Sequence, residues 1–309
     1  MTMNKAILPA IISALLATSA QAATLYQVAD TTVKMSGELD AYYKVFDSEG
    51  TSVGTTDENG ILSTWANVQL DLSTKISDSV TAMGSFEVEG DNGEAFKVDD
   101  AWMGVTGNFG TFKVGETGSS YALLEKTELS NELDEYDAIY SDSEGTGNAV
   151  RYQKAIGPVD LSANYSFVEG NGNDNYALSA DYAVENFTIG AAYLNGDDTE
   201  SMGVSASVVV DAFYAALTYT DNDDAAILNL TSEDFTTTAL SASYAFAPAT
   251  LYGSYQMVDI DNNDDINHWY AGVSRDVTAN ITAFVEYSDT DADDLAQASL
   301  LVAGIYYAF

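Results

Sequence analysis

Hydrophobic and polar residues alternate along most of this chain. Val33, Met35, Gly37, Leu39, Ala41, Tyr43 and Val45 occupy one set of positions, and Lys34, Ser36, Glu38, Asp40, Tyr42 and Lys44 the other. The pattern returns with Leu62, Thr64, Ala66, Val68, Leu70 and Leu72 against Ser63, Trp65, Asn67, Gln69 and Asp71. It returns again with Val159, Leu161, Ala163, Tyr165 and Phe167 against Asp160, Ser162, Asn164 and Ser166. Period two sends successive side chains to opposite faces of a strand, so these segments predict a sheet with one apolar and one hydrated face. After residue 22, no stretch of 18 uninterrupted apolar residues occurs, and no transmembrane helix is predicted.

The connectors predict the strand count. Short turns are expected near Ser77-Asp78, Gly157-Pro158, Glu185-Asn186, Asp211, Ala247-Pro248 and Thr278–Asn280. Longer polar loops are expected at 47–60, 90–95, 118–147, 169–175, 195–201, 220–234, 259–267 and 289–296. These eight loops separate about sixteen strands, most near the 9–11 residues that a tilted strand needs to cross a bilayer, with 110–117 shorter.

Charge sorts with loop length. The chain has 48 acidic and 10 basic residues, a formal net charge of −38, one histidine and no cysteine. Such a balance disfavours nucleic acid and favours cations as partners, and the missing cysteines exclude disulfides and thiolate metal sites. The eight long loops hold 32 of the acids against one base, Lys126. A soluble β-sandwich has no reason to collect its acidic loops at one end, whereas a membrane barrel with short turns on one side and long loops on the other does. The predicted fold class is therefore all-β, a transmembrane antiparallel barrel. Residues 1–22 read as a secretory signal peptide, with Lys5 in the positive region, Ala6–Ala17 as the apolar run and Ala20-Gln21-Ala22 as the cleavage site. The barrel domain would be 23–309, without Lys5 and at net charge −39.

The chain ends AGIYYAF, with Leu301, Ala303, Ile305, Tyr307 and Phe309 on one face, as the closing strand of such a barrel requires. Here the sequence resembles the general porins of the Gram-negative outer membrane, whose last strand ends in Phe and carries the assembly signal. MSGELDAYYKVF, DDAWMGVTGNFGTFKVGE at 99–116 and NAVRYQKAIGPVDLSANYSF at 148–167 are similar to the corresponding porin segments. The resemblance implies a homotrimer in outer-membrane lipid, inserted by the barrel assembly machinery through Phe309, Tyr307 and Ile305. It implies passive diffusion of small hydrophilic solutes, with cations favoured by this chain's acids.

In that family the third loop folds into the barrel and narrows it. The matching loop here, 118–147, carries Glu125, Glu128, Glu132, Asp134, Glu135, Asp137, Asp142 and Glu144. It lacks the Pro-Glu-Phe-Gly-Gly turn of many relatives, and SSYALLEKTELSNEL reads instead as a short helix starting near Ser119 or Ser120. The family's arginine ladder is replaced by Glu38, Asn67 and Asp99, and its Gly-Arg-Gln step by Gly115-Glu116-Thr117. With Asp40 these residues form the expected constriction, and Arg151 is expected to be their lone counterweight. Lys97 and Lys113 also face inward on this phase, and a bulge is expected at Asp99-Asp100.

Enzyme chemistry is not predicted. His268 is the one histidine and has no nucleophile motif beside it. DTDADD at 289–294 starts like a calcium loop but lacks the mid-loop Gly and the twelfth-position Glu. No cofactor is expected, and weak Ca²⁺ or Mg²⁺ binding at the acidic loops is left open. The alternative reading is an acidic-looped binding or adhesion barrel with little flux.

Overall fold

A strand in hydrocarbon cannot leave its amides unpaired, so membrane-spanning strands close into a ring. The computed structural model describes residues 23–49, 58–93, 95–133, 148–167, 174–196, 199–227, 230–261, 265–292 and 296–309, so the leader at 1–22 lies outside the described residues. The strands are β1 (Ala23–Val28), β2 (Thr31–Glu49), β3 (Glu58–Ser77), β4 (Val80–Asp91), β5 (Lys97–Gly107) and β6 (Gly110–Gly115). They continue with β7 (Ala149–Ile156), β8 (Val159–Ser166), β9 (Asn175–Val184), β10 (Phe187–Asn195), β11 (Glu200–Val210) and β12 (Phe213–Ile227). The last are β13 (Leu230–Phe246), β14 (Ala249–Ile260), β15 (Ile266–Thr278), β16 (Ile281–Ala292) and β17 (Ala296–Ala308).

Each strand from β2 onward pairs antiparallel with the next, and β17 returns to β2, with Ala308 opposite Glu38 and Gln297 opposite Glu49. Sixteen strands thus close the ring. The extra strand, β1, fills the seam. It pairs with the lower part of β2, Ala23 opposite Met35, just beyond the point where Phe309 and Gly37 exchange backbone hydrogen bonds at 2.9 and 3.1 Å. Strands β17 and β1 therefore cover successive stretches of one edge.

The connections at one end of the barrel are all two-residue turns. They include the expected ones and two that alternation did not reveal, Ala29-Asp30 and Asn108-Phe109. Glu185 and Asp211 adopt φ of 53° and 52° there, the left-handed geometry that lets a two-residue hairpin follow the strand twist.

At the other end most of the expected loops are shorter than their acidic composition suggested, the connections 116–148 and 167–174 excepted. Most of 220–234 is hairpin, since β12 runs to Ile227 and β13 begins at Leu230. Asp289, Thr290, Asp291 and Ala292 belong to β16, so the start of DTDADD is strand. Polar side chains above the membrane are hydrated and do not end a strand whose backbone still has a neighbour.

Facing follows the alternation. Leu39, Tyr43, Leu62, Leu72, Tyr165, Leu301, Ile305 and Tyr307 are exposed on the outer surface. Outward aromatics gather near both ends, with Tyr43, Tyr219, Tyr255, Trp269 and Tyr287 toward the long connections and Tyr182, Phe187, Phe213, Tyr244 and Tyr307 toward the turns. Two such belts are the interfacial girdles of a membrane barrel.

Candidate functional site: the lumen and its crossing loop

The chain leaves β6 at Gly115 and, instead of rising over the rim, lies along the inner wall. Ser120 donates its N–H to Asn164 Oδ1 at 2.6 Å and shares a 2.7 Å hydroxyl contact with Ser162. One 3₁₀ turn follows, Tyr121–Leu124, much shorter than the helix read from SSYALLEKTELSNEL. Carbonyls that a longer helix would have used are taken by the wall. Thr218 donates to Leu124 O at 3.0 Å, Tyr214 to Lys126 O at 2.6 Å, and Ser241 to Thr127 O.

Charged contacts hold the loop along this path. Lys126 Nζ lies 3.0 and 3.1 Å from the two oxygens of Asp181 on β9 and 2.6 Å from Leu123 O. On β16, Glu286 is fully buried. Its carboxylate accepts the Asn131 N–H at 2.6 Å, the Asn131 side-chain amide at 2.8 Å, the Tyr252 hydroxyl at 2.6 Å and the Glu132 N–H at 3.1 Å. Hydrogen bonds to an ionised acceptor are among the stronger ones, and four on one group leave little of its capacity unused. Apolar contacts add to the polar ones. Leu129 and Leu133 pack with Tyr214, Tyr252, Tyr270 and Phe284, and Tyr121 and Leu124 with Ala177, Ala192, Leu194 and Ala239. Burial, with Asp221 in electrostatic reach, holds the Tyr121 phenol above its ordinary pKa.

Glycine makes room for this docking. A Cβ at Gly203 would meet Leu124 Cδ1 at 2.5 Å, and one at Gly190 would meet Lys126 Nζ at 3.0 Å. Below the loop, a cavity of about 560 Å³ is lined by Thr106, Thr111, Leu123, Gln153, Asp160 and Asp181, so the lumen continues toward the turn end.

The loop leaves the β2–β5 wall uncovered by these contacts, and that wall is acidic. Glu38 and Asp40 share the inward face of β2, where they register with Asn67 and Trp65 on β3, which in turn register with Glu89 and Asp91 on β4. Asn67 is the hub: its Oδ1 accepts the Glu38 N–H at 2.7 Å and its amide donates to Glu87 at 2.5 Å. Pairing slips between β4 and β5, with Phe86 opposite Ala101 but Val88 opposite Val98. The extra residue is the expected bulge, and it puts both Asp99 and Asp100 within electrostatic reach of Glu87.

The remaining expected residues divide. Glu125, Glu128 and Glu132 lie on the lumenal part of the loop, half-buried, with Glu132 3.9 Å from Lys44 of β2. Asp134, Glu135 and Asp137 fall outside the described residues. Glu116 accepts the Ala101 N–H at 3.1 Å and so splices β5 to the start of the loop. Arg151 faces inward, with Tyr152 outward, but it is not a lone counterweight. Lys113 sits opposite it on β6, and Lys44, Lys97 and Lys126 also face or enter the lumen. Much of Arg151 is moreover structural: Nη1 donates to Thr117 O at 2.8 Å and Nε to Ser162 at 3.0 Å. His268 is buried on the inner face of β15, with Nδ1 2.8 Å from the Thr290 hydroxyl. No group of three or more His, Cys, Asp or Glu positioned for a metal occurs among the described residues.

Glu286, Asp181, Tyr252 and Glu87 were not singled out from the sequence. Their inward facing was legible from alternation, and Glu286 is the one acid among Thr282, Phe284 and Ser288 on its face. Nothing local says that a loop would reach it.

A model of the Gram-negative porin family matches residues 10–295. Among solved structures, Salmonella typhi OmpF, in complex with daunomycin, superposes with a TM-score of 0.77 at 17% identity, over 91% of this chain and 98% of that one. A loop-deletion mutant of OmpT, an outer membrane protein of Vibrio cholerae, gives 0.77 at 16%, over 91% and 100%. A mutant Rh. blastica porin gives 0.71 at 18%, over 90% and 100%. No curated protein sequence matches the chain.

Proposed function

The chain belongs to the Gram-negative porin family, and we propose that the outer-membrane channel it forms passes cations in preference to anions. The single observation behind the preference is that acids line both sides of the passage. Glu38, Asp40, Glu87, Asp99 and Asp100 lie on the wall, and Glu125, Glu128 and Glu132 on the loop. Of the lumenal bases, Lys44, Lys97 and Lys126 each lie against a carboxylate, Glu132, Glu89 and Asp181.

A narrow channel is comparable in radius to the Debye length, about 8 Å at physiological salt, so wall charge is only partly screened from a passing ion. A bias of about 1.4 kcal/mol between cation and anion gives a tenfold occupancy ratio, within reach of clustered charge between low-dielectric walls. Solutes cross passively, and pore width and fixed charge do the sorting.

Reversal potentials across a KCl gradient in planar bilayers test the reading. K⁺ is expected to be preferred over Cl⁻. Glu38→Gln with Asp99→Asn lowers the preference, and Arg151→Gln raises it. A wild-type channel that prefers Cl⁻ ends the proposal.

A further inference from the structure

Aromatic rings on the lumen wall already hold ammonium groups. Lys113 Nζ lies 3.8 Å from the centroid of the Trp102 ring, and Lys44 Nζ 4.9 Å from that of Tyr42. Trp65 stands on the same wall in a different setting. Its indole N–H donates to Glu89 Oε2 at 3.0 Å, which pins the ring, and its cross-strand neighbours on both sides are acids, Asp40 on β2 and Asp91 on β4. Among the described residues no lysine or arginine covers this ring, and Lys97, which shares Glu89 with it, is paired to that carboxylate at 2.9 Å. Asp40 Oδ1 is buried on this wall, with the Glu38 carboxyl beside it.

We propose that Trp65, with Asp40 and Asp91, is a subsite for solutes that carry an alkylammonium group, and that it favours organic over inorganic cations. The inference rests on the reading of the chain as an open channel. The carboxylates attract any cation. The indole face adds a term that depends on the cation's kind, because its quadrupole acts at contact and a methylated ammonium reaches it without shedding a tight hydration shell. The two neighbouring lysines show that the wall accommodates the same contact at ring distance.

The test is single-channel current through the full mature protein in constant KCl, titrated with tetramethylammonium chloride. A saturable fall in K⁺ current is expected, with half effect in about the millimolar range, whereas uncharged tert-butanol at the same concentrations produces no saturable fall. Trp65→Leu weakens the apparent affinity by about fivefold or more, Trp65→Phe by less, and Asp40→Asn weakens it too. Trp269→Phe, on the lipid-facing surface, does not. A current that changes linearly in wild type, or equal titrations for wild type and both Trp65 variants, overturns the subsite. The K⁺/Cl⁻ reversal potential of the same channels separates that result from a failure of general cation preference, which would show there first.

Discussion

A single buried carboxylate carries much of the loop's attachment. Removing the Glu286 side chain leaves the Asn131 and Glu132 amides without their acceptor, at about 1–3 kcal/mol for each buried group left unpaired. The barrel's own ladder does not pass through this side chain, so Glu286→Ala is expected to free the loop while the barrel still folds. Conductance should rise and liposome swelling should admit larger sugars. A folded Glu286→Ala channel with wild-type conductance would show that the apolar contacts of Leu129 and Leu133 suffice alone. Arg151 is harder to interpret, because its side chain is at once a lumenal charge and the tie on Thr117 O. Its replacement should change selectivity and also broaden current noise.

At the scale of elements, the loop from 116 to 148 is long enough to leave the rim, and its described polar groups find partners from β7 to β16 and an ion pair on β2. Deleting about half of it should raise conductance more than Glu286→Ala does, because chain is removed from the lumen as well as anchors. Unchanged conductance in a folded deletion would make it a surface feature. The alternation of two-residue turns with longer connections predicts orientation: the long end faces outside and the turns the periplasm. A protease site placed at 228–229 should be cut on intact cells, and one at Ala247-Pro248 should be spared. The reverse pattern would invert the barrel.

For the molecule as a whole, one sector of the outer surface differs from the rest. The outward faces of β3, β4 and β5 carry Ala66, Val68, Gly84, Val88, Ala101 and Val105 among the larger Leu62, Leu72, Phe86 and Met103, with neither Tyr nor Trp, while β2 on one side and β7 beyond β6 on the other carry Tyr43 and Tyr152. The gap in the Tyr and Trp girdle over these strands makes this sector the expected subunit contact of a homotrimer. Ala66→Trp should wedge that contact and shift cross-linked species from trimer toward monomer. Undiminished trimer would place the contact elsewhere. Salt acts on the whole lumen at once. Raising ionic strength shortens the screening length to about 3 Å at 1 M, so the K⁺ preference should be strongest in dilute KCl and weaken as salt rises. A preference independent of salt would point to size rather than charge.

The barrel class, the facing of nearly every strand residue and the sorting of charge toward one end were legible in the chain alone. Parity of position sets side-chain direction on a strand, and that needs no knowledge of the partner. The ends of strands were less legible. Asp221 and Asn222 read as loop, yet they hold ladder positions opposite Thr236 and Phe235, because pairing continues wherever a neighbour stands. The loop's helix was over-read for a related reason: its carbonyls had the option of wall hydroxyls that local sequence does not display. Which inward residues meet was not legible at all. Asn131 and Glu286 lie 155 positions apart and touch at 2.6 Å. Closure of the ring brings β16 round to face a loop that starts at β6, and such a contact is a property of the closed surface, which no window of sequence contains.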